Sequence, residues 1–240
     1  MLRGLLPSLV ALLTLSALAQ ARDVVCVTVT GTVDFNGIPF PPLSGATPGG
    51  PMEMSFLIDS TVFVNSTSFP TRGYPIDTSS FLMTIDGISV GLQSPFPGTP
   101  YFVLRDNDPA VDGFFIANNV DFPNGLATDQ PGNLGQFVDD FSVTYTGATL
   151  SSLDVLGALG SYDFTGLSVF NWTLNDGPFM PLGGLFANMT IETLSAPVPG
   201  LPTAGLLGLG ALVALSGTIV LRRRALLSAA TALLQNQRPI

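Results

Sequence analysis

The chain has no histidine and no lysine, and only one cysteine, Cys26. Without histidine there is no imidazole general base, no His zinc ligand and no His-dependent triad. Nor is there a nucleophile motif such as G-x-S-x-G, and a hydrolase is disfavoured. A lone cysteine forms no intrachain disulfide. Its β-branched neighbours suggest that Cys26 packs as a small buried hydrophobe. Basic residues are scarce through the middle of the chain. Between Arg22 and Thr203 they are Arg22, Arg72 and Arg105, against 17 acidic residues, which leaves 14 net negative charges. Nucleic acid is excluded as a partner, because a polyanion needs a basic footprint.

What is present is glycine, proline and short β-branched runs: 26 glycines and 20 prolines in 240 residues. Strand patterns recur at 24–35, 52–59, 81–92, 101–104, 113–117, 141–146, 166–174 and 185–193, separated by Gly/Pro clusters such as PFPPLSGATPGGP and SPFPGTP. The clearest is 81–92, where Asp86-Gly87 supplies the positive φ of a type I′ hairpin. Residues 151–159 read as one short helical turn, and 175–181 as a loop. The expected fold is all-β: an antiparallel β-sandwich or jelly-roll-like domain.

Both ends carry different signals. Arg3, an apolar run from Leu5 to Leu18 and Ala19-Gln20-Ala21 have the three parts of a signal peptide. Residues 1–21 are then removed, and the mature chain starts at Arg22. Near the other end, 204–221 is 18 residues without a charge. As a helix it spans ~27 Å, close to the ~30 Å hydrocarbon core. Arg222, Arg223 and Arg224 follow at once and act as a stop-transfer signal that holds the tail inside. The expected organisation is a signal peptide (1–21), an acidic β-sandwich domain (22–194), a Pro-rich linker (195–203), a transmembrane helix (204–221) and an Arg-rich cytoplasmic tail (222–240).

The linker motif Val198-Pro199-Gly200-Leu201-Pro202, the apolar run and the arginine triplet together resemble the PEP-CTERM class of bacterial sorting signals. The middle, through GTVDF, SFLIDSTV, the IDG hairpin, DGFF and NMTIETL, more loosely resembles exported domains that precede such signals. The resemblance implies an exosortase as partner, export to the cell surface or extracellular matrix, and no known catalysis.

Candidate site residues are few. Asp106, Asp108 and Asp112 in RDNDPAVDGFF offer carboxylates at close spacing to a hard cation such as Ca²⁺. The alternative is a strand-connecting loop whose Asp side chains make Asx-turns. Asp139-Asp140 are strand neighbours facing opposite ways, which does not suit paired acid catalysis. Trp172, with Phe170, Tyr101, Tyr145 and Tyr162, is a candidate sugar-stacking platform or ordinary core. The expectation is a non-enzymatic, exported structural or adhesive protein near exopolysaccharide. The alternative is a carbohydrate-binding module using Trp172, with calcium as its candidate cofactor.

Overall fold

The computed structural model describes residues 23–108, 110–177 and 179–194. They form an all-β, antiparallel, curled sheet. Its strands are β1 (Val24–Asn36), β2 (Pro51–Asp59), β3 (Val64–Asn65), β4 (Thr71–Pro75), β5 (Leu82–Ile85), β6 (Ile88–Val90), β7 (Tyr101–Arg105), β8 (Val111–Ala117), β9 (Leu126–Pro131), β10 (Gln136–Thr146), β11 (Gly160–Tyr162), β12 (Leu167–Asp176) and β13 (Phe179–Leu194). The main path runs β3-β4-β7-β8-β10-β12-β13-β1-β2-β5-β6, with β9 beside β10 and β11 beside β13.

Period-two patterning puts one face of each long strand inside. On β1, Val25, Val27 and Val29 are buried; on β2, Met52, Met54, Phe56 and Ile58; on β10, Phe137, Phe141, Val143 and Tyr145. The sheet curls because its ends are tied back to its middle. After β6, Gly91 and Gln93 exchange backbone hydrogen bonds with β9: Asp129 N to Gly91 O at 2.9 Å and Gln93 N to Ala127 O at 3.0 Å. Ile58 and Ile76 form an isolated bridge between the end of β2 and the segment after β4. The enclosed core is rich in aromatics. Phe102 stacks on Phe114 with ring centres 5.8 Å apart, and Phe56 packs on Phe102 at 5.5 Å.

The Asp86-Gly87 turn has φ of 51° and 80°, the left-handed pair that a type I′ hairpin needs, and it joins β5 to β6 as expected. The helical turn expected at 151–159 is a 3₁₀ turn at Val155–Ala158, where the Asp154 side chain accepts from Leu156 N. Three expectations need correction. The segment read as a loop at 175–181 is largely strand: β12 runs to Asp176 and β13 starts at Phe179. Four strands, β3, β4, β9 and β11, fall outside the expected runs. Cys26 is half-buried on the outward face of β1, its Sγ 3.8 Å from Thr28 Oγ1, because its valine neighbours take the inward positions.

No helix among the described residues is long and apolar enough to cross a membrane. Residues 1–21, 195–203 with the motif Val198–Pro202, 204–221 and 222–240 with Arg222–Arg224 lie outside the described residues.

Candidate functional site

β12 and β13 begin as a hairpin and then part. They pair at Asp176–Phe179, Leu174–Leu182 and Thr173–Gly183, with no further pairing beyond Thr173. β13 keeps to β1 along its length and meets β11 only at Met189–Ile191. Between these points Gly184–Asn188 has no strand on that side, and neither has the part of β12 from Leu167 to Trp172. An antiparallel strand paired on one side turns alternate N–H and C=O groups to the other. The opening therefore presents backbone donors and acceptors as well as side chains.

Aromatic rings fill most of the opening. Phe164, in the connection between β11 and β12, lies 6.1 Å from Phe170 and 5.9 Å from Phe186, edge-on to both. Phe186 is buried, Phe170 half-buried, and Phe164 is 55% exposed. What remains open is a cleft of about 160 Å³ bordered by Asp34, Phe35, Phe170, Asn171, Thr173 and Leu185. Phe35 is exposed, and its ring lies directly against Gly183, where any Cβ would overlap it. Glycine there is what lets the ring approach the strand so closely.

Trp172, the sugar-contact candidate, forms the floor from beneath. It is 1% exposed, packed edge-to-face on Phe141 at 5.7 Å. A stacking platform needs an open ring face, and this ring is enclosed by the core. Tyr145 is buried as well, Tyr101 packs on the small Val103–Phe115–Ala117 cluster, and Tyr162 lies 4.7 Å from Phe114. Of the five aromatics singled out, Phe170 is the one that reaches the cleft with a partly open ring. Phe35 and Leu185 were missed. The signal for them was Gly183-Gly184 inside a strand, since glycine there marks a close approach.

Under the floor, the Trp172 indole N–H donates to Asp139 Oδ1 at 3.2 Å. Asp139 is fully buried on the inward face of β10, and its Oδ2 has no hydrogen-bond partner among the described residues. Burial pushes its carboxyl up to about 7, against the weaker opposing effect of the indole hydrogen bond. Asp140 points to the other face. Burial raises its pKa too, opposed by a hydrogen bond from Asn171. The two carboxyls thus lie on opposite sides of the sheet, as strand geometry requires.

The structure sets Asp106, Asp108 and Asp112 around the β7–β8 connection. Asp112 is buried, with Oδ1 accepting from Asn107 N at 2.9 Å and Oδ2 from Leu150 N at 2.6 Å. Asp106 Oδ1 accepts from Asn107 Nδ2 at 2.6 Å, and Asp108 N donates to Val111 O at 3.0 Å. Asp112 thereby staples two loops together. Among the described residues, no group of three or more His, Cys, Asp or Glu side chains is placed to hold a metal ion.

The arginines of the described residues are remote from the cleft. Arg72 lies 4.1 Å over the Phe63 ring and Arg105 lies 5.4 Å over Phe115, on β4 and β7. β8 and β10 separate β7 from β12 in the sheet. The formal charge at the cleft rim is Asp34.

Fold and site together define an all-β, curled-sheet protein with an aromatic-walled cleft where two strands diverge. No protein-family model matches the chain, and comparison with curated proteins and with solved structures finds no match.

Proposed function

We propose that the chain is an exported, non-catalytic protein with a structural or adhesive role at the bacterial cell surface or in its exopolysaccharide matrix. The leader at 1–21 directs export. Residues 204–221 tether the chain in the membrane, and Arg222–Arg224 keep the tail on the cytoplasmic side. The Val198–Pro202 motif is the segment an exosortase would read. The 22–194 β-sandwich faces outward.

The observation that carries this reading is the set of exposed apolar side chains around one opening of an acidic domain. Phe35, Phe164, Val169 and Leu185 are each more than two-fifths exposed. Contiguous exposed apolar surface on a soluble face marks an interaction site. The test is retention in the native host. Full-length protein should fractionate with cell envelope and matrix, and a chain truncated after residue 194 should escape to the medium. Recovery of the full-length protein from cytosol, leader intact, would end the proposal.

The alternative, a carbohydrate-binding module, is favoured by a different observation. The cleft is lined by Phe35 and Phe170 together with Asp34, Asn171 and Thr173, the mixture of apolar and polar groups that suits the apolar face and hydroxyl edge of a sugar ring.

A further inference from the structure

We propose that the cleft between β12 and β13 is a subsite for one neutral pyranose unit of a polysaccharide, held against Phe35 and Phe170 and hydrogen-bonded by Asn171, Thr173 and Asp34. This rests on the matrix-associated reading for its biological sense, although sugar binding and localisation can fail separately.

Size is the first argument. A cavity of about 150 Å³ takes a benzene ring. The cleft, at about 160 Å³, matches one six-membered ring, and its open side leaves room for hydroxyls.

The lining is the second. A pyranose has an apolar face of C–H groups and a rim of hydroxyls, each both donor and acceptor. Phe35 and Phe170 offer rings to the face. Asn171, whose Nδ2 donates to Asp140 O at 3.4 Å, offers its amide oxygen, Thr173, which accepts from Asn175 Nδ2 at 3.5 Å, its hydroxyl proton, and Asp34 a carboxylate to the rim. The edge of β12 left unpaired from Leu167 to Trp172 adds backbone donors and acceptors.

Charge decides which sugar. Asp34 stands at the rim with the chain's own excess of acidic residues behind it. A uronate or sulfated sugar would bring like charge to this surface, as would a second copy of the domain. An extended peptide is disfavoured by length: the free part of β13 is only Gly184–Asn188, and the Phe164 ring packs edge-on against Phe186 in the middle of it.

Trp172 is the chain's only tryptophan and borders the cleft from below. Its fluorescence therefore reports occupancy without a label. Full-length protein in mild detergent is titrated with gluco-, manno- and galacto-configured hexasaccharides, with a hexagalacturonate as the acidic control. The expected result is saturable quenching or enhancement by at least one neutral oligomer and none by the uronate. Phe35→Ala and Asn171→Ala should each weaken binding by about tenfold or more, the scale of one lost stacking or hydrogen-bonding partner. Leu82→Ala, at an exposed site on β5, should leave it unchanged. Phe35 is 46% exposed and lies outside the buried core, so its variant keeps the fold, and a matching thermal midpoint verifies this. No response to any neutral oligomer overturns the proposal. So does binding that survives Phe35→Ala and Asn171→Ala, binding of the uronate as tight as that of the neutral sugars, or selective binding of an uncharged extended heptapeptide in place of sugar.

Discussion

Asp139 should make this domain less stable as pH rises through neutrality, and its removal should flatten that dependence. The carboxyl sits in the core with one oxygen on the Trp172 indole and the other without a partner among the described residues. Its pKa is pushed from 3.8 in the unfolded reference to about 7 in the fold. A raised carboxyl pKa means that the folded state holds the proton more tightly. Its contribution is fully present below pH 3.8 and is lost as pH climbs to the folded value. At about 1.4 kcal/mol per unit, the whole window is worth about 4 kcal/mol, of which about 3 kcal/mol falls between pH 5 and pH 8. Asp106 and Asp140 are shifted the same way, by burial first, and add to the slope. Asn is the isostere of the protonated acid, and its amide oxygen keeps the indole hydrogen bond. Urea unfolding of wild type and Asp139→Asn at pH 5 and pH 8 is the assay. Wild type should lose most of that 3 kcal/mol across the interval, and the variant much less. Equal pH dependence in the two proteins would refute the reasoning.

Three further outcomes follow from packing. Gly31→Ala should destabilise by about 2 kcal/mol or more in thermal unfolding, because a Cβ there overlaps the Leu185 carbonyl oxygen and comes within 2.9 Å of the Trp172 ring. Tyr74→Phe should cost about 1–3 kcal/mol, since the buried hydroxyl donates to Leu153 O at 2.8 Å and accepts from Val155 N at 3.0 Å; an unchanged unfolding midpoint would contradict this. Asp112→Ala should cost about 2–3 kcal/mol by freeing two backbone donors, and calorimetric titration of wild type with millimolar calcium should give no heat if the carboxylate is a staple rather than a ligand.

The sequence made some parts of the fold plain and hid others. Asp86-Gly87 betrayed its hairpin because the turn needs two positive φ values that few residue pairs supply. The long strands β1, β2 and β10 were legible from alternation, since one face of each is core. β4, β9 and β11 were not. β9 reads LATDQP, too short an apolar pattern to stand out and ending with Asp and Pro among its last three residues, and is a strand only because β10 and the segment after β6 hold it on either side. The cleft was half legible. Phe170 and Trp172 sit two apart on one strand and read alike. Burial separates them because β12 and β13 part beyond Thr173, opening space at Phe170 while the core closes over Trp172. That divergence is a property of the pairing, and no local pattern encodes it. Asp139 is similar: in sequence it is one acid among 17, and its inward position on β10 sets it apart.

The central claim, that an acidic β-domain is exported and either tethered at the envelope or sorted to the surface through its C-terminal segment, is tested most directly by the intact mass of the mature chain recovered from the envelope and surface of its native host. The account predicts an N-terminus at Arg22, with a C-terminus near Pro199 where the chain is sorted and at Ile240 where it stays tethered. A chain still carrying residues 1–21 would contradict it.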